Sequence, residues 1–144
     1  MACDQILASE NAYFSQVFKN VGLAPDGGAI YFLTQSLGVL RAKELVLSAR
    51  RIAASEAHAL GLATRIVPDE KLEEETLLLA EELARGPTLA FVLAKKLFKQ
   101  SFTPTLETFL DAEAWAQSVA LLSEDHGEGV RAFLEKRTPR FKGK

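Results

Sequence analysis

Short apolar runs in the first half of the chain predict three strands. Residues 3–9 are interpreted as one strand, 12–14 as a very short extended piece, and 63–67 as a strand that leaves a turn. Two or three strands do not form a stable sheet alone, because each leaves a row of backbone groups unpaired. We therefore expect partner strands from another chain or from an N-terminal part of the fold preceding residue 1, and we favour the second.

Between these strands the apolar residues recur at helical spacing. The predicted helices cover residues 27–36, 41–49 and 54–60. Gly38 interrupts the pattern between the first two, and Arg51-Ile52 is interpreted as a linker. Gly61 occupies the position at which a left-handed residue ends a helix.

The second half of the chain follows the helical period almost throughout. Its predicted helices extend from Asp69 to Gly86, from Thr88 to Phe102, from Thr103-Pro104 to about Val119, and from Asp125 to Leu134. Asp69, Thr103 and Asp125 are the predicted caps of the first, third and fourth of these helices. The predicted helices after Pro87 have apolar faces too wide for so short a chain to cover by itself. We therefore expect a homo-oligomer.

Composition narrows the class of protein. The chain has 144 residues, of which 48% are hydrophobic and 25% charged, as in one globular domain. The net charge of −2 gives no support for nucleic-acid binding, and no apolar run is long enough for a membrane span. No signal peptide is visible, and a cytoplasmic location is expected.

The single cysteine and the two histidines do not predict a metal site. Cys3 is the single cysteine, so no intrachain disulfide can form, and its place in the first predicted strand favours a small core residue. His58 and His126 have no second ligand at a metal-binding spacing.

Two segments carry candidate chemistry. The turn Gly22-Leu23-Ala24-Pro25-Asp26-Gly27-Gly28 delivers one carboxylate to the start of a helix. A basic and aromatic segment, Phe133 to Phe141, lies near the end of the chain. Together they suggest a site for an anionic, thioester-type ligand. From spacing alone, Asp26 is better explained as a helix cap than as a catalytic group.

The motifs, taken in order, resemble the C-terminal half of the crotonase superfamily, which contains enoyl-CoA hydratases and isomerases. The resemblance rests on Ala2-Cys3-Asp4, Ala12-x-Phe14, Gly22-Leu23-x-Pro25-Asp26-Gly27-Gly28, Arg41-Ala42, Ala57-x3-Gly61-Leu62, Val67-Pro68 and Glu128-Gly129-x2-Ala132-Phe133-x-Glu135-Lys136-Arg137-x-Pro139-x-Phe141. It covers essentially the whole chain. Its Pro-Asp-Gly-Gly turn is most similar to phenylacetate-pathway isomerases that act on a ring-epoxide CoA thioester.

The resemblance implies an α/β crotonase-like fold, a spiral of βαβ units, of which this chain holds mostly the helical half with few short strands. Residues 1–87 are then the end of the spiral core, and 88–144 a helical trimerisation region. It also implies an acyl-CoA or enoyl-CoA substrate, no covalently bound cofactor, and a homotrimer or dimer of trimers. The two oxyanion-hole amides would precede residue 1, so this chain alone is expected to have little or no activity.

The resemblance also assigns candidate residues. Hydratases of the family use two glutamates, and the second would fall at Phe18, which cannot transfer a proton. Isomerases can use one carboxylate, and Asp26 is the matching residue. Phe133 and Lys136 match residues that approach CoA, although a helix end also favours cations and a core position is the more ordinary role for Phe133. Gly27 and Gly28 are assigned to backbone geometry.

Three functions remain open at this stage. The first is an isomerase-type enzyme in its full-length form. The second is a hydratase or thioester hydrolase of the same fold. Phe18 argues against the hydratase. The third is a non-catalytic trimerisation or CoA-binding module.

Overall fold

The computed structural model describes residues 2–102 and 105–144. They form two compact units, one ending at Leu77 and the other beginning at Leu78. The cap predicted at Thr103-Pro104 lies outside the described residues. The boundary at residue 87 between spiral core and trimerisation region stays a prediction.

The first unit holds four short strands that pair two by two. These strands are β1 (Leu7–Ser9), β2 (Tyr13–Phe14), β3 (Ile52–Ala53) and β4 (Arg65–Val67). β1 and β4 are parallel, with Ala8 opposite Ile66, whereas β2 and β3 are antiparallel. The strands therefore find partners within the chain, although each sheet has only two strands.

Two details of the predicted strands are wrong. The first strand begins at Leu7 and not at residue 3, and Cys3 is exposed instead of a core residue. Ile52 was assigned to a linker, yet it is a buried strand residue that pairs with Phe14. A two-residue strand is too short to show an alternation of apolar and polar residues, so it is recognised only from its long-range pairing.

The helices of this unit surround a small core. A short 3₁₀ helix (Val17–Val21) precedes α1 (Ala29–Ser48), and α2 (Ala54–Ala59) follows β3. Gly38 interrupts α1 with a non-helical backbone, as predicted, at φ 74° and ψ 163°. The core consists of small and branched apolar side chains from these helices and strands: Ala8, Leu33, Ala42, Leu45, Ile52, Ala54, Ala57, Leu62 and Ala63.

An arginine ties α1 to α2. The Arg50 guanidinium donates to Glu44 on α1 through Nε at 2.6 Å and to Glu56 on α2 through Nη2 at 2.7 Å. Its hydrogen bonds lower the pKa of both carboxyls, and the same contacts raise the pKa of Arg50. This bidentate geometry fixes how the two helices meet.

The remaining helices follow the predicted pattern. They are α3 (Leu72–Ala84), α4 (Thr88–Gln100), α5 (Leu106–Leu121) and α6 (Glu124–Leu134). Asp69 is not the cap of α3, because it lies in a 3₁₀ turn where its carboxylate accepts a hydrogen bond from Asn11 Nδ2 at 2.7 Å. The cap of α6 is Ser123, whose hydroxyl accepts from the His126 amide at 3.0 Å, and not Asp125.

The helices of the second unit keep large apolar side chains at the surface. The most exposed are Phe98, Leu106, Leu122, Phe133 and Leu134. Among the described residues, no helix has both the length and the hydropathy needed to cross a bilayer.

Candidate functional site

Asp26 lies in a turn built from three glycines with left-handed backbone. Gly22 ends the 3₁₀ helix at φ 70°, and Gly27 and Gly28 follow Asp26 at φ 58° and 76°. A side chain at Gly28 would also approach the Phe32 ring, since a Cβ there would lie 3.1 Å from Phe32 Cε2. These glycines are therefore required by the shape of the turn, which agrees with the role assigned to them.

The Asp26 side chain does not cap the helix. Gly28 occupies the N-cap position of α1, and no side chain accepts a hydrogen bond there. Only the backbone carbonyl of Asp26 takes part, accepting from the Ala29 amide at 3.0 Å. Within residues 2–102 and 105–144, the exposed Asp26 carboxylate has no hydrogen bond or ion pair. The capping role favoured by spacing alone is wrong, and the carboxylate is left free.

Phe18 lies in the 3₁₀ helix that leads into this turn. Its carbonyl accepts from the Leu23 amide at 3.0 Å, so the backbone at Phe18 helps to set the start of the turn. The ring is half-buried and carries no ionisable group. The position expected for a second acid/base residue is thus occupied by a side chain that cannot exchange a proton.

In the other unit, Lys136 ends α6 in a left-handed conformation. The Lys136 amide donates to the Phe133 carbonyl at 3.2 Å, and the Arg137 amide donates to the Ala132 carbonyl at 3.0 Å. This pair of bonds is the Schellman motif, whose left-handed residue is usually glycine. Lys136 adopts φ 55° despite its Cβ, which costs about 1 kcal/mol.

The Lys136 and Phe133 side chains both face away from the protein interior. Phe133 is 83% exposed, so the core role favoured for it is wrong for this chain. Lys136 is also exposed, and its ammonium has no hydrogen bond or ion pair among the described residues. Both groups are therefore available for a ligand or a second subunit.

The segment after Lys136, residues 137–144, forms a C-terminal tail that folds back on α6. Asp125 holds its end: its two carboxylate oxygens accept from the Lys142 amide at 2.7 Å and from the Gly143 amide at 2.8 Å. The Asp125 amide in turn donates to the Lys144 carbonyl at 3.0 Å. Asp125 is 3% exposed and is the one charged residue classed as buried in the described part of the chain.

Glu128 holds the beginning of the same tail. Its carboxylate accepts from Arg137 Nη1 at 2.6 Å and Nη2 at 3.1 Å, and from the Arg140 backbone amide at 2.9 Å. A longer contact of 3.4 Å joins it to Arg131 on α6. These donors, Arg137 first and the Arg140 amide second, lower the pKa of Glu128 to about 2.

This shift predicts acid sensitivity of the tail. The pKa of Glu128 falls from 4.5 to about 2 on folding, so its contacts stabilise the fold fully above about pH 4.5 and lose that effect as the pH falls towards 2. We expect the urea midpoint of the wild-type chain to drop over this window more steeply than that of Glu128→Gln, with the two curves meeting near pH 2. Parallel curves across the window would contradict a lowered pKa.

No group of three or more histidine, cysteine, aspartate or glutamate residues suited to a metal ion occurs in the described ranges. Candidate chemistry lies in the Asp26 turn of the first unit and, separately, in the Phe133–Lys136 segment of the second.

Comparison with known proteins decides the family. The model of the enoyl-CoA hydratase/isomerase family matches residues 1–144. The chain belongs to this family. The family acts on CoA thioesters, and its crotonase fold agrees with the predicted α/β class and with the few short strands seen here.

Relatives within the enoyl-CoA hydratase/isomerase family include both chemistries. The 1,2-epoxyphenylacetyl-CoA isomerase of Escherichia coli is 39% identical over 98% of this chain and 54% of its own length. The 2,3-dehydroadipyl-CoA hydratase of the same organism is 36% identical over 100% of this chain and 56% of its own. The crystal structure of an enoyl-CoA hydratase from Bacillus anthracis matches with a TM-score of 0.92 at 37% identity, over 99% of this chain and 55% of that one.

The chain therefore spans about half the length of the family members it matches, and identity alone does not choose between isomerase and hydratase. Asp26, Phe133 and Lys136 are candidates from the sequence, whereas the two carboxylates that hold the tail were not expected from it. Asp125 was assigned to a cap, and Glu128 entered only as part of a motif. A signal is present for Glu128, because a carboxylate precedes a tail with several cations and binds the Arg137 guanidinium. The amides of Arg140, Lys142 and Gly143, which supply the other tail contacts of the two carboxylates, leave no trace in a sequence.

Proposed function

We propose that this chain supplies the acid/base half of an isomerase-type enzyme acting on an acyl-CoA or enoyl-CoA thioester. The observation that carries the proposal is the free Asp26 carboxylate, held on a glycine turn at the start of α1 with no hydrogen bond or ion pair among the described residues. The proton-inert Phe18 at the other expected position supports one-carboxylate chemistry. The similarity to an epoxyphenylacetyl-CoA isomerase is compatible with it.

The proposed reaction moves one proton within the acyl group. The Asp26 carboxylate removes a proton from carbon 2 of a 3-enoyl thioester, and the electrons of that C–H bond delocalise into the thioester carbonyl as a dienolate. The carboxyl then returns the proton to carbon 4, so the double bond moves from carbons 3 and 4 to carbons 2 and 3. No water is consumed, and Asp26 ends in its starting form.

Hydration is the second candidate, because several relatives are named hydratases. Adding water requires one group to activate the water and another to deliver a proton, and Phe18 can do neither. A non-catalytic CoA-binding or trimerisation module is the third candidate. For this reading, binding of CoA without turnover is the expected behaviour.

One assay separates the three candidates. The protein is expressed from its own gene, so that whatever accompanies these residues is retained, and is incubated in D₂O with 3-enoyl-CoA or 2-enoyl-CoA. Isomerisation with little 3-hydroxyacyl product supports the proposal. A hydroxyacyl product from 2-enoyl-CoA favours the hydratase, and binding of both thioesters without any product favours the module.

Lys136 and Phe133 are proposed to contact the CoA portion of the substrate. Their exposure and the free ammonium support this assignment. A lysine ammonium suits the phosphate groups of CoA as a point charge, and an exposed ring suits the adenine. The surface apolar side chains of α4 to α6 support a homotrimer or dimer of trimers, and a cytoplasmic location stays a prediction.

Lys136→Gly separates a ligand role from a scaffold role. Glycine suits the left-handed position better, so the melting temperature should stay the same or rise slightly. Loss of a charge-assisted hydrogen bond should nevertheless weaken CoA binding by about tenfold, which isothermal titration calorimetry measures. A lower melting temperature with unchanged CoA affinity would instead assign Lys136 to the scaffold.

A further inference from the structure

Lys136 is flanked by residues whose side chains are already paired with each other. Arg137 Nε donates to Glu135 at 2.6 Å, while the Arg137 Nη atoms donate to Glu128 at 2.6 and 3.1 Å. The ammonium of Lys136 remains unpaired within the described ranges. The carboxylates therefore bind the arginine next to Lys136 and leave the lysine itself free.

Glu128 also fixes the backbone on the C-terminal side of Lys136. The Arg140 amide donates to Glu128 at 2.9 Å, four residues beyond the lysine. On the N-terminal side, the two Schellman bonds fix the chain up to Arg137. Lys136 thus lies between two anchored points, and its left-handed backbone follows from both of them. These contacts fix the point at which the Lys136 side chain leaves the backbone.

We propose that Glu128 is a positioning residue, which acts through Arg137 and the Arg140 amide to aim the Lys136 ammonium at the phosphate groups of a CoA thioester. The inference rests on the proposed ligand role of Lys136. Glu128 does not itself contact the ligand, since its side chain is 15% exposed and its oxygens are occupied by donors of this chain.

Electrostatics alone predicts the opposite effect of removing Glu128. CoA is an anion, so deleting a nearby carboxylate should strengthen its binding by a small factor that salt screens. A positioning role predicts weaker binding, because an amide holds the two donors less firmly and Lys136 loses its fixed direction. The sign of the change therefore distinguishes the two effects.

The test is a double-mutant cycle measured with CoA itself by titration calorimetry at fixed ionic strength. Glu128→Gln should weaken CoA binding about three- to tenfold in the wild-type background and not at all in the Lys136→Gly background. Glu128→Asp keeps the charge but shortens the reach, and should weaken binding similarly. Glu124→Gln is the matched control: it removes an exposed carboxylate of the same helix without touching Arg137 or the Arg140 anchor, and should leave binding unchanged or slightly tighter.

Equal losses in both backgrounds would overturn the proposal, because Glu128 would then act independently of Lys136. Unchanged or tighter binding in Glu128→Gln would overturn it as well. If Lys136→Gly itself binds CoA normally, both the ligand role of Lys136 and the positioning role fall. If the enzyme assay detects no isomerisation but the cycle behaves as expected, only the catalytic proposal for Asp26 falls and the positioning role stands.

Discussion

Replacement of Asp26 by asparagine is expected to lower enoyl-CoA isomerisation by about 10²- to 10⁴-fold, the usual contribution of a positioned general acid/base. Asparagine is close in size to aspartate, but its amide cannot accept the proton from carbon 2. The side chain makes no contact that stabilises the turn or caps α1, so the substitution removes chemistry without removing structure. CoA affinity, melting temperature and oligomer mass should therefore stay unchanged.

The measurement is the initial rate at which the double bond of 3-enoyl-CoA migrates to give 2-enoyl-CoA. Glu10→Gln is a matched control, because Glu10 is another exposed carboxylate of the same unit, where the loss of charge should leave the rate intact. A rate that survives in Asp26→Asn would remove Asp26 from the mechanism. A rate that falls together with the melting temperature would assign Asp26 to the turn instead.

Replacement of Asp125 by asparagine is expected to cost the fold about 2–3 kcal/mol of unfolding free energy. Asp125 is 3% exposed, and each of its oxygens accepts one backbone hydrogen bond, from Lys142 and from Gly143. In asparagine one oxygen becomes an NH₂ group that faces a backbone donor, so that one backbone amide loses its acceptor. An unpaired buried donor is more costly than a missing bond at the surface.

The urea midpoint measures this loss, and hydrogen exchange locates it. The Lys142 and Gly143 amides should exchange much faster in Asp125→Asn, because the tail is released from α6. Glu124→Gln makes the same change of charge at the neighbouring residue, which is exposed. It should shift the urea midpoint by only a few tenths of the shift expected for Asp125→Asn. Slow exchange of both amides in Asp125→Asn would show that another contact holds the tail.

Much of the fold could be predicted from local pattern. The helices, the interruption at Gly38 and the left-handed Gly61 follow from periodicity and from the conformational freedom of glycine, and the structure contains all of them. The residues that cap the helices were less predictable from the sequence. Asp69 and Asp125 both have capping chemistry at suitable positions, but each carboxylate binds donors distant in sequence, and Ser123 caps α6 instead.

The sequence by itself determined the family and the crotonase class, and it supplied the candidate residues Asp26 and Lys136, because these depend on residue type and order. Only the tertiary structure decided which of those residues are free. Asp26 is free because Gly28 takes the N-cap position, and Lys136 because Glu128 and Glu135 bind Arg137. The tail contacts join Asp125 to residues 17 and 18 positions away. A hydrogen bond between a side chain and a distant backbone amide depends on how the chain folds back, and a backbone amide is the same at nearly every residue.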